Sequence, residues 1–306
     1  MSLFNSIWRD MEHGFRMGNM VRKLLMVNIL VFVIVQIIHL VSNVAAGDME
    51  GGYIIFWDVL HHICMPSDPK ELLFHPWSPL TSIFLHEGFW HLVGNMIWLS
   101  MFGSIVGDLI GDRRVLPIYL LGGLAGNVLY FISAQIAPNL VGAHALGASA
   151  AVMAFGGAAI MLNADYRVAL VFLGEVKIKY IVLIMVLLDL VGVTGMPNAG
   201  GHAAHLGGFI FGVMFVYALR DRKDWSEPVN NLLDRIGRLF TRTARPLPKM
   251  KVTHSNVGKK RPGPGASPEA LSHQERLDQI LDKIKQRGFD QLTQEEKDFL
   301  YDASKK

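Results

Sequence analysis

Apolar runs alternate with short polar stretches along the first two thirds of the chain. Six runs stand out: about Leu24–Ala46, His91–Ile110, Val115–Ile136, Ser149–Leu162, Lys179–Val193 and His202–Leu219. The first is long enough to cross a hydrocarbon core of ~30 Å at about 1.5 Å per residue. Val44-Ala45-Ala46 resembles a signal-peptidase site, but the apolar run is too long and starts too late for a cleaved leader. After Arg220 the pattern changes. Residues 245–268 are rich in Pro, Gly, Lys and Ser and read as a linker. Ser267-Pro268-Glu269 then opens an amphipathic helix with Leu271, Leu277, Ile280, Leu281 and Ile284 on one face. Gly288 stops it, and Thr293-Gln294-Glu295-Glu296 caps a second short helix. The pattern therefore predicts an all-α fold. It is a polytopic bundle of six transmembrane helices with a small helical hairpin as a tail. The expected divisions are 1–23 (N-terminus), 24–220 (membrane domain), 221–268 (basic linker) and 269–306 (hairpin).

Composition supports the membrane reading. Of 306 residues, 51% are hydrophobic and only 18% charged, and the mean hydropathy of +0.31 is high for a soluble chain. Basic residues set the expected orientation. Arg9, Arg16, Arg22 and Lys23 precede the first run, and Arg113 and Arg114 follow the second. Arg167, Lys177 and Lys179 separate the fourth from the fifth, and Arg220, Arg222 and Lys223 follow the sixth. Only Lys70 falls in the intervening loops. Six spans with both termini cytoplasmic satisfy all of these placements. A bacterial inner membrane is the expected location. The first outer loop, Gly47–Leu85, carries Tyr53, Phe56, Trp57 and Trp77 and is expected to lie in the membrane interface. The single cysteine, Cys64, excludes a disulfide framework and a Cys-based zinc site. It reads as a small buried residue.

Polar side chains inside membrane segments point to function. The second run carries His91 and Asn95 four residues apart, hence on one face. The fourth opens on Gly147-Ala148-Ser149, and the sixth holds His202 and His205 followed by Gly207, Gly208 and Gly212. The fourth run is short, roughly 21 Å of helix against a core of ~30 Å, so its Ser149 end stops inside the bilayer. The loop before it, residues 138–148, must then line a buried aqueous site. Small residues at Ala150, Ala151, Ala154, Gly157 and Ala158 allow close helix packing, as do Gly122, Gly126, Gly208 and Gly212.

A serine hydroxyl attacks an amide once a base takes its proton, and neutral histidine suits that role near pH 7. No acid is plainly placed to orient His205, so a Ser149–His205 dyad is expected. Asp189 is the only other intramembrane acid near the outer side and the one candidate for a third member. Asn95, His91 and the Ser149 backbone N–H supply donors for a developing oxyanion. The run His86-Glu87-Gly88-Phe89-Trp90-His91 is not a helical zinc motif. Its histidines are five apart, about 140° around a helix, where zinc needs four. No metal and no cofactor are expected. A proton-relay transporter using His91, His205 and Asp189 would call for an inverted repeat that the hydropathy lacks.

Three blocks occur in order. They are Trp77…Leu80-Thr81-Ser82-Ile83-Phe84-Leu85-His86 with His91-Leu92-x-x-Asn95-Met96, then Gly147-Ala148-Ser149, then Ala204-His205-x-x-Gly208-x-x-x-Gly212. Together they resemble the rhomboid family of intramembrane serine proteases over about 76–219. The resemblance implies an endopeptidase cutting in or near transmembrane segments. Ser149 would be its nucleophile, His205 its base, and His91 and Asn95 its oxyanion donors. Gly147, Met153, Gly208 and Gly212 would pack around the site. Three positions depart from the family: Ala150 replaces a common Gly, Met153 an aromatic that packs on the base, and Ser78 an Arg after Trp77. The thioether of Met153 would orient an imidazole less firmly than a ring. Expected partners are transmembrane substrates and the lipid bilayer, with a cytoplasmic partner for the hairpin; nothing points to nucleic acid. The non-enzymatic alternative is a catalytically silent relative that binds membrane clients, although such relatives lose the serine or the histidine.

Overall fold

The computed structural model of the protein describes residues 18–170, 174–195, 198–240 and 273–303. The basic residues Arg9 and Arg16, the linker 245–268 and the expected start of the tail helix at 267–271 lie outside the described residues. The chain divides into two compact units, Met1–Thr243 and Ala244–Lys306.

In the first unit α1 (Met20–Ala46) leads into α2 (Met49–Leu60), α3 (Pro69–Phe74) and α4 (Ser78–Thr81). Next come α5 (Phe89–Ile110), α6 (Val115–Ile136), α7 (Ser149–Asn163), α8 (Ile178–Gly195), α9 (Ala199–Arg220) and α10 (Ser226–Phe240). Each of the six apolar runs falls on one of α1, α5, α6, α7, α8 and α9. Helices at Met20–Ala46, Phe89–Ile110, Asp112–Ile136 and Ala199–Arg220 are long and apolar enough to cross a membrane. The fold is all-α and polytopic, as the pattern predicted.

The aromatic segment between α1 and α5 is helical over much of its length. Asp48 caps α2 by accepting from Gly51 N at 2.7 Å, and α2 packs back on α1. Leu60, Cys64 and Leu85 close a small core with Val35 and Phe56. The basic segment between α7 and α8 is a β-hairpin, β3 (Arg167–Leu170) with β4 (Gly174–Lys177), where only a loop was expected.

The short helix α7 lies at the centre. Every residue from Ala150 to Ala159 is buried, which fits a helix apolar all round and enclosed by neighbours. A Cβ on Gly208 or Gly212 of α9 would overlap the carbonyl oxygens of Ala150 or Ala154 of α7. These glycines are therefore required by backbone-to-backbone contact, since van der Waals packing and not water exclusion holds helices together in lipid. Around this centre Phe102, Ile118, Tyr119, Phe155 and Phe215 are buried. The outward faces of α1 and α8 carry exposed Leu, Ile and Val.

Buried amides fasten the segment before α5. Tyr119 Oη lies 3.0 Å from Asn28 Oδ1 and 2.8 Å from Ile83 O, joining α6, α1 and the turn after α4. Asn127 of α6 donates to Pro79 O at 2.7 Å and Ser82 Oγ at 2.9 Å. Gly147 N donates to Ser82 O at 2.9 Å, so the loop into α7 hangs on the same turn. That loop also pairs its strand β2 (His144–Ala145) with β1 (Met65–Pro66), antiparallel.

In the second unit α11 (His273–Arg287) and α12 (Gln294–Ala303) form the hairpin. Gly288 breaks the chain with φ +82°. Thr293 and Glu296 make a reciprocal cap, Thr293 N to Glu296 Oε2 at 2.7 Å and Glu296 N to Thr293 Oγ1 at 3.4 Å. Ile280 and Leu292 are buried, while Leu281 is exposed.

Candidate active site

Ser149 is the first residue of α7, where the opening turn leaves backbone N–H groups without intrahelical partners. Gly147 precedes it with φ +130°, a conformation L side chains rarely adopt. A Cβ there would sit 3.1 Å from His91 Cε1 and Nε2 and 3.5 Å from Ser149 Oγ. The His91 ring edge and the serine hydroxyl thus face the same bare Cα. Asn95, one turn along α5, is buried and donates from Nδ2 to His91 O at 2.9 Å. Met153, one turn along α7, is 1% exposed.

His205 lies in the second turn of α9. Asn198 starts that helix with a left-handed φ of 67°, and its side chain accepts from Gly201 N at 3.1 Å. Gly126 of α6 ties the two catalytic candidates together. A Cβ there would press on Ala150 Cβ and on Ala204 O, the neighbours of Ser149 and His205. Ser149 Oγ makes no hydrogen bond to His205 in this structure. Catalytic contacts of this kind often close only around a substrate.

The structure corrects the expectation that His205 lacks an acid. His205 donates from Nδ1 to Asp189 Oδ1 of α8 at 2.8 Å, and Asp189 is 5% exposed. A carboxylate only accepts, so the proton sits on Nδ1 and Nε2 keeps its lone pair. His202 donates from its own Nδ1 to the same oxygen at 2.8 Å. Gly192, one turn after Asp189, leaves room for the His202 ring, since a Cβ there would collide with it. The signal was legible in retrospect. His202 and His205 are three apart on one helix, and Asp189 and Gly192 are three apart on its neighbour. What sequence could not give is the angle at which the two helices face.

The fold gives His86 a place beside the site. His86 is 1% exposed, and neither ring nitrogen has a partner among the described residues. Its ring meets that of His91 edge-on at 5.2 Å. Burial, then the nearby His91, pulls its pKa down to about 4, so it stays neutral.

Residues 74–222 match the Rhomboid domain. That stretch of the chain is a rhomboid domain. Residues 269–306 match a family of unknown function (DUF6576). The human mitochondrial presenilin-associated rhomboid-like protein is 29% identical over 139 residues, 45% of this chain and 36% of that protein. The mitochondrial RHOMBOID-like protein 12 of Arabidopsis thaliana is 34% identical over 142 residues, 42% of each chain. Rhomboid protease GluP of Bacillus subtilis is 31% identical over 144 residues, 47% of this chain and 26% of that protein. The match spans about a third of the length of the first curated relatives. The relatives include mitochondrial as well as bacterial proteins, which speaks against the bacterial inner membrane expected above.

Proposed function

We propose that this rhomboid-domain protein is an intramembrane serine endopeptidase that cuts other membrane proteins in or near their transmembrane segments. In this reading Ser149 is the nucleophile and His205 its general base. His91, Asn95 and the Ser149 backbone N–H receive the oxyanion, and Asp189 positions His205. The observation that carries it is the 2.8 Å contact between His205 Nδ1 and buried Asp189. It fixes the tautomer whose Nε2 can accept a proton, on a helix packed by glycine contacts against the helix that Ser149 opens. The expected dyad becomes a base with an orienting carboxylate.

Attack by Ser149 Oγ on the scissile carbonyl passes its proton to His205 Nε2. The imidazolium then gives that proton to the leaving amine, and water repeats the sequence to release the acyl group. The substrate segment must unwind first, because a helix hides its carbonyls in hydrogen bonds. The membrane domain 24–220 carries this chemistry with six spans and both termini cytoplasmic. The hairpin 269–306, beyond the linker 221–268, contributes no catalytic group and is left to a cytoplasmic partner.

The test uses purified full-length protein, a single-span substrate and a fluorophosphonate probe that reports an activated serine. Ser149→Ala and His205→Ala each abolish cleavage and labelling while the protein remains folded. Wild-type protein that neither cleaves nor labels would favour the client-binding alternative.

A further inference from the structure

Asp189 receives two histidine N–H groups on a single oxygen. One ring nitrogen of His202, one of His205 and a carboxylate oxygen of Asp189 all lie within 4.8 Å of one another, and in both rings it is Nδ1 that stands 2.8 Å from Asp189 Oδ1. The acid is buried, while the two histidine side chains are 21% and 25% exposed, so one side of the cluster is left uncovered by protein. Two imidazoles and a carboxylate, with an open fourth position, form a donor set that Zn2+ and neighbouring first-row ions accept. Zinc bonds of about 2.0–2.2 Å place tetrahedral ligands roughly 3.3 Å apart. The two 2.8 Å contacts would have to open by about half an ångström to admit the ion. Its acid comes from a second helix, so no spacing along one helix reveals the set.

We propose that Asp189, His202 and His205 form a binding site for a first-row transition ion such as Zn2+, and that filling it silences the base. This rests on the protease reading given above. The chemistry follows from proton bookkeeping on one ring. In the metal-free site His205 carries its proton on Nδ1 and offers the Nε2 lone pair to Ser149. A metal takes the Nδ1 lone pair, so the proton moves to Nε2. His205 stays neutral and loses the acceptor that Ser149 needs. No proton is released and no redox change occurs; the tautomer inverts.

Binding is measured apart from cleavage by titrating the Ser149→Ala protein with Co2+ and following its visible d–d absorption. A saturable tetrahedral band is expected. Binding weakens at least tenfold in Ser149→Ala/His202→Ala and in Ser149→Ala/Asp189→Asn, each checked for an unchanged melting profile. A second histidine cluster, His61, His62, His75 and His144, lies on the outer loops with ring centroids 3.8–6.3 Å apart. Replacing His61 and His62 with Ala should leave the band in place. Absence of a band, or a band that persists without His202 and Asp189 or disappears with His61 and His62, overturns the site. In wild-type protein, Zn2+ should abolish cleavage and fluorophosphonate labelling over the range that competes with Co2+. EDTA should restore both, and EDTA alone should not lower activity. Full activity at saturating Zn2+ overturns the silencing. If the wild type never cleaves, the protease reading fails, and the Co2+ titration still decides the metal site.

Discussion

Gly126→Ala is a wedge driven at both catalytic candidates from a distance. The added Cβ would stand 2.7 Å from Ala204 O, against an ordinary contact of at least 3.4 Å, so α6 and α9 must separate by about 0.7 Å. The same methyl overlaps Ala150 Cβ, so α7 is pushed as well. Overpacking of this size costs about 1–3 kcal/mol, against which a Gly-to-Ala change inside a helix returns only about 0.5–1 kcal/mol. The fold should survive with a lowered melting temperature. Catalysis is more exposed, because a misplacement of roughly 1 Å can cost on the order of a hundredfold. We expect cleavage of a single-span substrate, per mole of folded enzyme, to fall by about ten- to a hundredfold. Gly94→Ala is the control, since its Cβ meets nothing within 4 Å. Adding Ala150→Gly to Gly126→Ala removes one of the two clashes and should recover part of the rate. Wild-type activity in Gly126→Ala, or no recovery in the double variant, refutes the idea that helix spacing at Gly126 sets the Ser149–His205 geometry.

Asn95→Ala should slow cleavage about tenfold or more without abolishing it, because His91 and the Ser149 N–H remain as donors; unchanged kinetics would remove Asn95 from the oxyanion site. His86 titrates near 6.5 when unfolded and near 4 when folded, so the unfolded chain binds more protons between those values. Stability should be full above pH 6.5 and lost as pH falls towards 4, by about 3 kcal/mol, and His86→Phe should flatten that slope in melts of the detergent-solubilised protein. Cys64 is fully buried, and burial, with Glu87 and Glu71 nearby, pushes its thiol up to about 12. It should resist maleimide at pH 7 until the protein is unfolded; rapid labelling of the native protein would contradict its placement.

Much of the fold was legible because lipid imposes a simple rule: apolar runs of sufficient length become helices, and all six did. The candidate site was legible where one helix carried the whole pattern, as with His91 and Asn95. It was illegible where two helices share it. Asp189 sits among Leu187, Leu188, Leu190 and Val191. Nothing in that run says which flank meets α9. Helix α2 was illegible for another reason. Gly51 and Gly52 have low helix propensity, which packing on α1 overrides, and a Cβ on Gly52 would collide with Asn43.

The glycine contacts between α7 and α9 make those two helices a single mechanical body, leaving no slack for one to slide past the other. Helix α8 is attached differently. Leu183, Ile184, Leu187, Leu188, Leu190 and Val191 face outward, and its polar tie to α9 is the carboxylate of Asp189. Any excursion of α8 away from α9 therefore withdraws the acid from His205 in the same movement. In the proposed mechanism the base would be held in its working tautomer only while that flank is shut. A segment that displaced α8 on entering would meet a slack imidazole, and α8 would have to close behind it before the hydroxyl could be activated. On that reading access and reactivity are interlocked through one oxygen atom.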